Sequence, residues 1–366
     1  MPTAMQIIIF VALGQMILLA AIVGRELVTN RIKGRRQVGV AMLILLLSAG
    51  CYLVCSDKAL LAQTGQLAFV LAIGSFVVPA ALWAMARMLF DDDFQLSAPH
   101  IGMILTLLIL GYWNALIGDF FGAPVITSAE AEVGATTRPA QQLMNLGFLT
   151  HAFYVAWRGW AGDLINERRR FRTLFVAAGA SVAICIALVE LVIAPGQVME
   201  FHAWAGPPVV LSMVILATFW ILSVDPAAIY ATAQQPAGRD RMPDLAPGDQ
   251  VKCDRLTQAM EQDHLYREHG LTISQLADHV SVPEHQLRQL INQALGYSNF
   301  AAFLNTYRLG DVEAAFKDPA MADTPILTIA TDAGFQSIAT FNRAFRQAYN
   351  QTPTDFRRRA QGTVQN

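Results

Sequence analysis

The sequence predicts an all-α protein in two parts, a seven-helix transmembrane bundle followed by a smaller helical domain. Three observations support this fold class. Hydrophobic residues make up 54% of the 366 residues and charged residues only 15%, against about 25% charged in an ordinary soluble domain. Seven long apolar runs occupy the first 223 residues. After residue 250, two short segments of helical periodicity resemble each other.

The density of charge places the boundary between the two parts near residue 224. Residues 1–223 carry 25 charged side chains, whereas the shorter remainder carries 29. Residues 224–250 contain four prolines and no apolar periodicity, and we interpret them as a flexible linker with a root-mean-square reach of about 25–30 Å. The predicted domains are therefore a transmembrane domain over residues 1–223 and a second domain over residues 251–366.

The first apolar run, residues 5–24, has no charged side chain over about 20 residues, the length that crosses a bilayer. No basic side chain precedes it, which argues against a cleaved signal peptide. Six further runs of similar length are predicted to cross the membrane, at residues 38–55, 67–90, 101–121, 141–160, 173–194 and 207–223. Seven such runs in succession are not expected of buried helices in a soluble protein.

Basic residues give the predicted bundle an orientation. Eleven Lys and Arg residues fall on one side of the seven spans, and only Lys58 and Arg138 fall on the other. Because cytoplasmic connections carry the excess of basic residues, the N-terminus is predicted outside and everything after residue 223 in the cytoplasm. The predicted location is the inner, cytoplasmic membrane, with the lipid bilayer as a partner.

A few ionisable residues near the spans are candidates for sensing a signal, because such residues are costly in hydrocarbon. Asp119 and Glu190 fall towards the outer ends of their spans, and His202 lies at a similar level in the last outer loop. Together with His151 they form a speculative site for an unknown small-molecule or envelope signal. The alternative is that polar residues join helices and the acids reach water. We expect no catalytic residue, no metal site and no cofactor.

Two segments of the second domain, about residues 271–295 and 324–349, show the pattern of a helix-turn-helix unit. In each segment a short apolar helix face is followed by a turn and by a second helix with its own apolar face. Residues 300–316 are predicted to form a helix that connects the units and packs on both. The inward face of the last helix is predicted to consist of Ile338, Phe341, Phe345 and Ala348.

The outer faces of the two second helices carry side chains that suit DNA recognition. Arg and Gln can make paired hydrogen bonds to guanine and adenine edges, and Thr can contact phosphate or a thymine methyl group. The predicted contacts are His285, Arg288, Gln289 and Asn292 in the first unit, and Gln336, Ser337, Thr340, Arg343, Arg346 and Arg357 in or after the second. A surface helix of any soluble bundle is also polar outside, so periodicity alone leaves protein binding open.

The charge of the second domain is local rather than global. Residues 250–366 contain 11 Lys and Arg residues and 12 Asp and Glu residues. Between residues 336 and 360, however, five arginines oppose a single acid, Asp355. Since phosphate contacts usually require a basic face, we expect modest non-specific DNA affinity, with the second unit dominating attachment to the DNA backbone.

The second unit also contains a spaced set of residues that is more specific than a helix-turn-helix pattern. The set is Ile329-Ala330, Gly334-Phe335, Ser337, Phe341, Arg343, Phe345, Thr352-Pro353 and Phe356-Arg357, and the first unit adds the segments "LTISQLA", "LRQLI" and "LGYSNFAAFLNTYRL". In these residues the last ~100 positions resemble the DNA-binding domain of AraC/XylS-type transcription regulators. The resemblance implies recognition helices that enter successive major-groove turns about 34 Å apart.

Two positions depart from the pattern of that family. Pro283 stands where the family usually has a Ser that caps the first recognition helix, so the start of that helix is expected to move by a residue. Ile338 stands where the second recognition helix often has a polar base-reading residue. Base reading is therefore expected to depend on Thr340 and Arg343.

The predicted function is a membrane-anchored transcription regulator that binds promoter DNA sequence-specifically under the control of its membrane domain. The resemblance implies double-stranded promoter DNA as a partner, with RNA polymerase and a second copy of the chain as further candidates. Residues 251–264 either contribute to such pairing or pack onto the first unit. In a different functional class, the membrane part is a transporter or enzyme that carries a regulatory DNA-binding tail. Against that alternative, the spans show no clear two-fold repeat and no cluster of catalytic spacing.

Overall fold

A computed structural model describes residues 3–29, 33–91, 94–117, 131–166, 168–179, 198–223 and 247–364. The regular elements within these ranges are all helices, as the sequence predicts. The chain divides into two compact units. The first comprises Met1–Trp160 with Arg170–Thr232, and the second comprises Ala161–Arg169 with Ala233–Asn366. The short stretch Ala161–Arg169 thus belongs to the second unit although residues of the first flank it on both sides.

The first unit is a bundle of mostly long helices. They are α1 (Ala4–Thr29), α2 (Lys33–Cys55), α3 (Lys58–Gln63), α4 (Leu67–Phe76), α5 (Val78–Phe90), α6 (Ala98–Ile117), α7 (Ala131–Arg158) and α8 (Val198–Ser223). Residues 168–179 are also helical, and of these residues 170–179 belong to this unit.

Three of these helices are long and apolar enough to cross a bilayer. The qualifying stretches are Ala4–Arg25 in α1, Gln37–Cys55 in α2 and Ala98–Leu116 in α6. The pair α4 and α5 would add a fourth span if it crosses once, since the two helices are bent by 44° at their break. The described residues therefore support three or four spans, and not the seven that the sequence predicts.

The other predicted spans fall short for separate reasons. Within α7, the stretch 141–160 is interrupted by Gln141, Gln142, Asn145 and His151, which reduce its apolar character. The apolar part of α8 is Trp204–Phe219, which is shorter than a typical span. Most of the predicted span 173–194 lies outside the described residues.

Large apolar side chains cover the outside of the candidate spans. Ile17 in α1 is 71% exposed, Leu47 in α2 is 72% exposed and Ile109 in α6 is 68% exposed. Soluble proteins seldom present contiguous apolar surfaces of this kind to water, whereas a bilayer solvates them. The outer surface of these helices therefore favours insertion into lipid.

Polar side chains connect helices inside the first unit. The Gln15 side-chain amide donates a hydrogen bond to the Thr218 hydroxyl at 3.2 Å, which joins α1 to α8. The Asn114 amide donates to the Gln141 side-chain oxygen at 2.8 Å, which joins α6 to α7. At these positions the structure agrees with the simpler expectation, namely that polar residues within spans hold helices together.

The second unit consists of shorter helices. They are α9 (Pro247–Glu261), α10 (Ile273–His279), α11 (Glu284–Gln289), α12 (Phe300–Lys317), α13 (Ile326–Asp332), α14 (Ile338–Tyr349) and α15 (Pro353–Val364). Short helical turns occur at Leu265–Arg267, Leu290–Ala294 and Pro319–Met321. The pairs α10–α11 and α13–α14 are the two helix-turn-helix units.

Helix α12 connects the two helix-turn-helix units by contributing to the hydrophobic core of each. Phe303 and Leu304 pack in the core of the first helix-turn-helix unit, and Val312 and Phe316 pack in the core of the second helix-turn-helix unit. All four side chains are nearly or completely buried. The connecting helix that the sequence predicts is therefore confirmed.

Helix α9 packs onto the first helix-turn-helix unit. Leu256 and Met260 are buried in the same core as α10 and α11, whereas Val251 is 53% exposed. The sequence left two roles open for this segment, pairing with a second copy of the chain and packing onto the first helix-turn-helix unit. The structure describes the packing.

Candidate nucleic-acid interface

The turn between α13 and α14 depends on Gly334, whose φ of +95° lies in the left-handed region. A residue with a Cβ is strained in that region. The surroundings exclude a Cβ as well, because it would lie 2.7 Å from the Tyr266 carbonyl oxygen and 2.8 Å from the Arg267 Cα. The backbone that precedes α10 thus packs directly against this turn and helps to fix where α14 begins.

Helix α14 is capped by Ser337 and anchored by two phenylalanines. The Ser337 hydroxyl accepts a hydrogen bond from the Thr340 backbone N–H at 3.2 Å, which satisfies one of the unpaired donors at a helix start. Phe341 and Phe345 are completely buried, and the Phe345 ring lies 5.3 Å from that of Phe356. These anchors fix the rotation of the helix and therefore determine which residues face outward.

The outward face of the second helix-turn-helix unit presents most of the side chains predicted there to contact DNA. The exposed members of the set are Gln336, Ser337, Thr340, Arg343 and Arg346. Within the described part of the chain, the guanidinium groups of Arg343 and Arg346 make no hydrogen bond or ion pair. Their donors are therefore available to a phosphate or to the edge of a base.

Two residues predicted to face inward on α14 are instead exposed. Ile338 is 41% exposed, because it is the first helical residue after the Ser337 cap and precedes the buried turn of the helix. Ala348 is also exposed, near the C-terminal end of the helix. The prediction for these two residues is wrong. An apolar Ile338 on the outer face can contact a thymine methyl group.

Arg357, predicted to contact phosphate, is engaged within the protein. It donates from Nη1 to the Thr324 carbonyl and from Nη2 to the Met321 carbonyl, both at 2.7 Å, and Nη2 also contacts the Ala322 carbonyl. Its guanidinium lies 5.7 Å from the centre of the Phe316 ring. In this arrangement Arg357 holds the turn before α13 against α15, and a phosphate contact would require these bonds to break.

We expect Arg357→Ala to lower the free energy of unfolding of the second unit by about 1–3 kcal/mol, because carbonyls beside α13 lose a charged donor. Hydrogen exchange of the amides in α13 and α15 would measure the loss. The control is Arg358→Ala, whose side chain is 74% exposed in a pair with Asp355, so that less than about 0.5 kcal/mol is expected. Equal, small effects of the two substitutions would show that Arg357 does not hold this turn.

The two helices of the first helix-turn-helix unit begin with caps that differ from the Ser337 cap of α14. Thr272 and Gln275 form a reciprocal capping box at the start of α10, with the Gln275 side chain accepting from the Thr272 N–H at 2.8 Å. Pro283 stands at the cap position of α11, where its carbonyl accepts from the N–H of Leu287 at 3.0 Å. The helix therefore begins at Glu284 without a side-chain cap.

Only part of the predicted recognition face of α11 is open. His285 and Gln289 are exposed one helical turn apart. The Asn292 side-chain amide donates to the Tyr297 carbonyl at 2.9 Å, so that it closes the turn that follows the helix. His285 and Gln289 thus remain at the surface, where the Gln289 side-chain amide donates to the Gln293 side-chain oxygen at 3.0 Å, while Asn292 has a structural partner.

Arg288 on α11 is 3% exposed and is held by the protein on every side. It donates from Nε and Nη2 to the Glu284 carboxylate at 2.9 and 2.7 Å. It also donates to the carbonyls of Asp163 at 2.8 Å and Ala161 at 2.9 Å. The hydrogen bonds from Arg288 lower the pKa of the Glu284 carboxyl. The structure therefore places Arg288 in the interior, in contact with the stretch Ala161–Arg169.

A polar cluster that the sequence did not single out joins the two helix-turn-helix units. Arg308, 9% exposed on α12, donates from Nε to the Tyr266 carbonyl at 2.7 Å and lies 5.8 Å from the Phe335 ring. The Tyr266 hydroxyl donates to Asp311 at 2.8 Å, and burial together with this carboxylate raises the pKa of Tyr266 to about 12. The sequence signal that could have identified this cluster is Arg308, an arginine on an otherwise apolar face of α12.

The predicted signal site belongs to the helices of the first compact unit, and the structure describes part of it. His151 accepts a hydrogen bond from the Trp83 indole N–H at 2.7 Å, which links α5 to α7. Asp119 and Glu190 lie outside the described residues, as does the side chain of His202. The residues predicted to bind a signal therefore stay a prediction.

The C-terminal region matches proteins that are named as regulators of transcription. A family model for a helix-turn-helix domain matches residues 276–359, which run from α10 into α15. Two proteins of Staphylococcus aureus, from strains MSSA476 and COL, are each named an HTH-type transcriptional regulator and are 34% identical to this chain over 104 residues.

These matches cover 28% of this chain and only 13% of each Staphylococcus aureus protein. The chain therefore spans a small part of the length of the relatives it matches. No solved structure gives a significant match to the chain. The comparisons establish that the chain carries a helix-turn-helix domain near its C-terminal end, of the kind found in transcriptional regulators.

Proposed function

We propose that this protein is a membrane-anchored transcription regulator that binds promoter DNA through two AraC-type helix-turn-helix units. The observation that carries the proposal is the outer face of α14. There, Thr340, Arg343 and Arg346 are exposed on a helix that Phe341 and Phe345 anchor from behind. Such a helix fits the major groove, where Arg reads guanine and Thr contacts phosphate or a thymine methyl group.

The two units contribute unequally in this proposal. Helix α14 supplies the open arginines, whereas α11 offers only His285 and Gln289 from its predicted set. The second helix-turn-helix unit therefore makes the stronger contact with DNA. The first helix-turn-helix unit adds a weaker contact in the next turn of the major groove, about 34 Å away. Specificity is concentrated in the half-site that α14 reads.

The membrane anchor is the second part of the proposal. Its support is the three long apolar helices of the first unit, with a fourth in the bent pair, and their exposed Ile and Leu side chains. We infer that these helices anchor the chain in the membrane, with the N-terminus outside and the DNA-binding domain in the cytoplasm. A signal received by this domain, a second copy of the chain and RNA polymerase complete the proposed set of partners.

The DNA-binding part is tested by genome-wide crosslinking of the full-length protein, compared with a variant that carries Thr340→Ala and Arg343→Ala. We expect a limited set of promoter sites for the native chain and loss of most of them for the variant, because the two substitutions remove the proposed base contacts. Absence of enriched DNA for the native protein would overturn the proposal and would favour the alternative that this domain binds a protein.

The membrane part is tested by washing isolated membranes with alkaline carbonate, which removes peripheral proteins. We expect the full-length chain to stay in the membrane pellet and to be released only by detergent. Release by carbonate alone would contradict insertion. Solute flux through vesicles that contain the purified protein would instead support the alternative of a transporter with a regulatory DNA-binding tail.

A further inference from the structure

Residues 161–169, which we name the clasp, belong to the second unit although first-unit residues flank them in sequence. They follow α7, which ends at Arg158. Asp163, Leu164 and Ile165 are 1%, 2% and 3% exposed. Connecting segments normally run over the surface of a protein, so a connection that is buried to this degree is held by specific contacts.

The clasp pairs with the first helix-turn-helix unit through its backbone. The Leu164 N–H donates to the Ser298 carbonyl at 3.1 Å, and the Phe300 N–H donates to the Gly162 carbonyl at 2.9 Å. The Leu164 side chain lies in the hydrophobic core of the first helix-turn-helix unit. This is the mode in which an extended peptide adds to an exposed backbone edge, with hydrogen bonds for affinity and a buried side chain for specificity.

The clasp also has its own internal support. The Asp163 carboxylate accepts from Arg168 Nε at 2.5 Å and from the Ile165 backbone N–H at 3.1 Å. Both Asp163 and Arg168 are nearly completely buried. A buried pair with these hydrogen bonds gives the segment one defined shape, and that shape directs the carbonyls of Ala161 and Asp163 towards Arg288.

Arg288 is the point at which the clasp meets the recognition helix. It belongs to α11, beside the exposed His285 and Gln289. Its hydrogen bonds to the clasp carbonyls and to Glu284 use donors that would otherwise be offered to phosphate. While the clasp is docked, Arg288 cannot contact DNA.

We propose that the clasp is an intramolecular ligand of the first helix-turn-helix unit, and that its release frees Nη1 of Arg288, which Glu284 does not hold, to bind the DNA backbone. The inference rests on the proposed DNA-binding function. Residues of the first compact unit flank the clasp on both sides in the sequence. A rearrangement of the helices in that unit therefore acts on the clasp through the covalent chain. The clasp is thus the route by which the membrane domain controls the first helix-turn-helix unit, since a signal that favours the released state shifts the population towards it.

The test is equilibrium binding of the full-length protein in nanodiscs to a random-sequence DNA duplex, because phosphate contacts operate on any sequence. The four proteins compared are the native chain, Leu164→Glu, Arg288→Ala and the double variant. Leu164→Glu places a charge in an apolar core and expels the clasp, so roughly tenfold tighter binding is expected from one freed charged donor. Arg288→Ala alone should change the affinity less than about twofold and should remove the gain in the double variant.

The possible outcomes separate the clasp from the proposed function. Binding by the native chain, combined with equal or weaker binding by Leu164→Glu, would overturn the clasp alone. Loss of affinity on Arg288→Ala in the native background, as large as in the released background, would do the same. Failure of all four proteins to bind any duplex would overturn both proposals.

A second release variant covers the case in which Leu164→Glu unfolds the first helix-turn-helix unit, as hydrogen exchange of the α12 amides would show. In that variant, residues 161–166 are replaced by Gly and Ser residues of equal number, which removes the buried Leu164 and Asp163 without placing a charge in the core. The same gain in affinity is expected, and it should again depend on Arg288. An unchanged affinity of this variant would overturn the proposal.

Discussion

Gly334→Ala is expected to abolish specific DNA binding by destabilising the second helix-turn-helix unit. The substitution carries two costs at one position. A φ of +95° strains any residue with a Cβ, and that Cβ would lie 2.7 Å from the Tyr266 carbonyl oxygen, which belongs to packed backbone. Together these costs amount to about 3 kcal/mol or more, a large part of the stability of a small domain. Hydrogen exchange of the α13 and α14 amides would measure it.

The matched control for this substitution is Gly296→Ala. Gly296 also has a positive φ, of +78°, but a Cβ built there would meet no atom within 4 Å. This variant therefore experiences only the backbone strain, about 1 kcal/mol. If the two substitutions destabilised the protein equally, the close approach of the Tyr266 backbone to Gly334 would have no energetic weight, and the description of this turn would be wrong.

Arg343→Ala is expected to weaken binding to the specific site by about 1–3 kcal/mol and to relax the base preference at one position of it. The reason is that Arg343 is exposed in the middle of the outer face of α14 and makes no bond within the described part of the chain. Titration of the full-length protein with the crosslinked promoter site, and with the same site altered one base pair at a time, would measure both effects.

Arg346→Ala serves as the comparison for Arg343→Ala. Arg346 lies in the last turn of the same helix, nearer to where the DNA backbone would pass. Its loss should weaken binding to all sequences alike and reduce the salt dependence by about one phosphate contact. Unchanged affinity and base preference after Arg343→Ala would remove Arg343 from the reading face, whatever the result for Arg346.

Local patterns were sufficient to predict the helices of the two helix-turn-helix units and the helix between them. The periodicity of apolar residues identified both helix-turn-helix pairs and the connecting helix, since Phe303 and Leu304 pack in one core and Val312 and Phe316 in the other. Ile338 was assigned wrongly because the same periodicity was extended to the first residue of α14. The Ser337 cap turns that residue outward before the buried stripe begins.

Long-range contacts are what the sequence could not supply. Arg357 and Arg288 look like DNA contacts in sequence, because arginines in or after a recognition helix can bind phosphate or the edge of a base. Their acceptors are backbone carbonyls of Met321 and Thr324 in one case and of Ala161 and Asp163 in the other. Carbonyl positions follow from tertiary structure and have no signature in side-chain patterns.

The count of membrane spans shows a related limit of composition. Apolar runs predicted α1, α2 and α6 as long helices, and these qualify as candidate spans. The break between Phe76 and Val78 was not predicted from the run 67–90, although Pro79 in the first turn of α5 is a sequence signal for it, because proline lacks the N–H that would continue the preceding helix.

The most direct test of the account is a footprint of the full-length protein, held in carbonate-washed membranes, on a promoter fragment that it crosslinks in cells. Two protected segments are predicted, one major-groove turn or about 10 base pairs apart, and Arg343→Ala should weaken the stronger of them first. Protection by the washed membranes would establish that one chain is both anchored and able to read DNA. The absence of protection, with the protein retained in those membranes, would contradict the account.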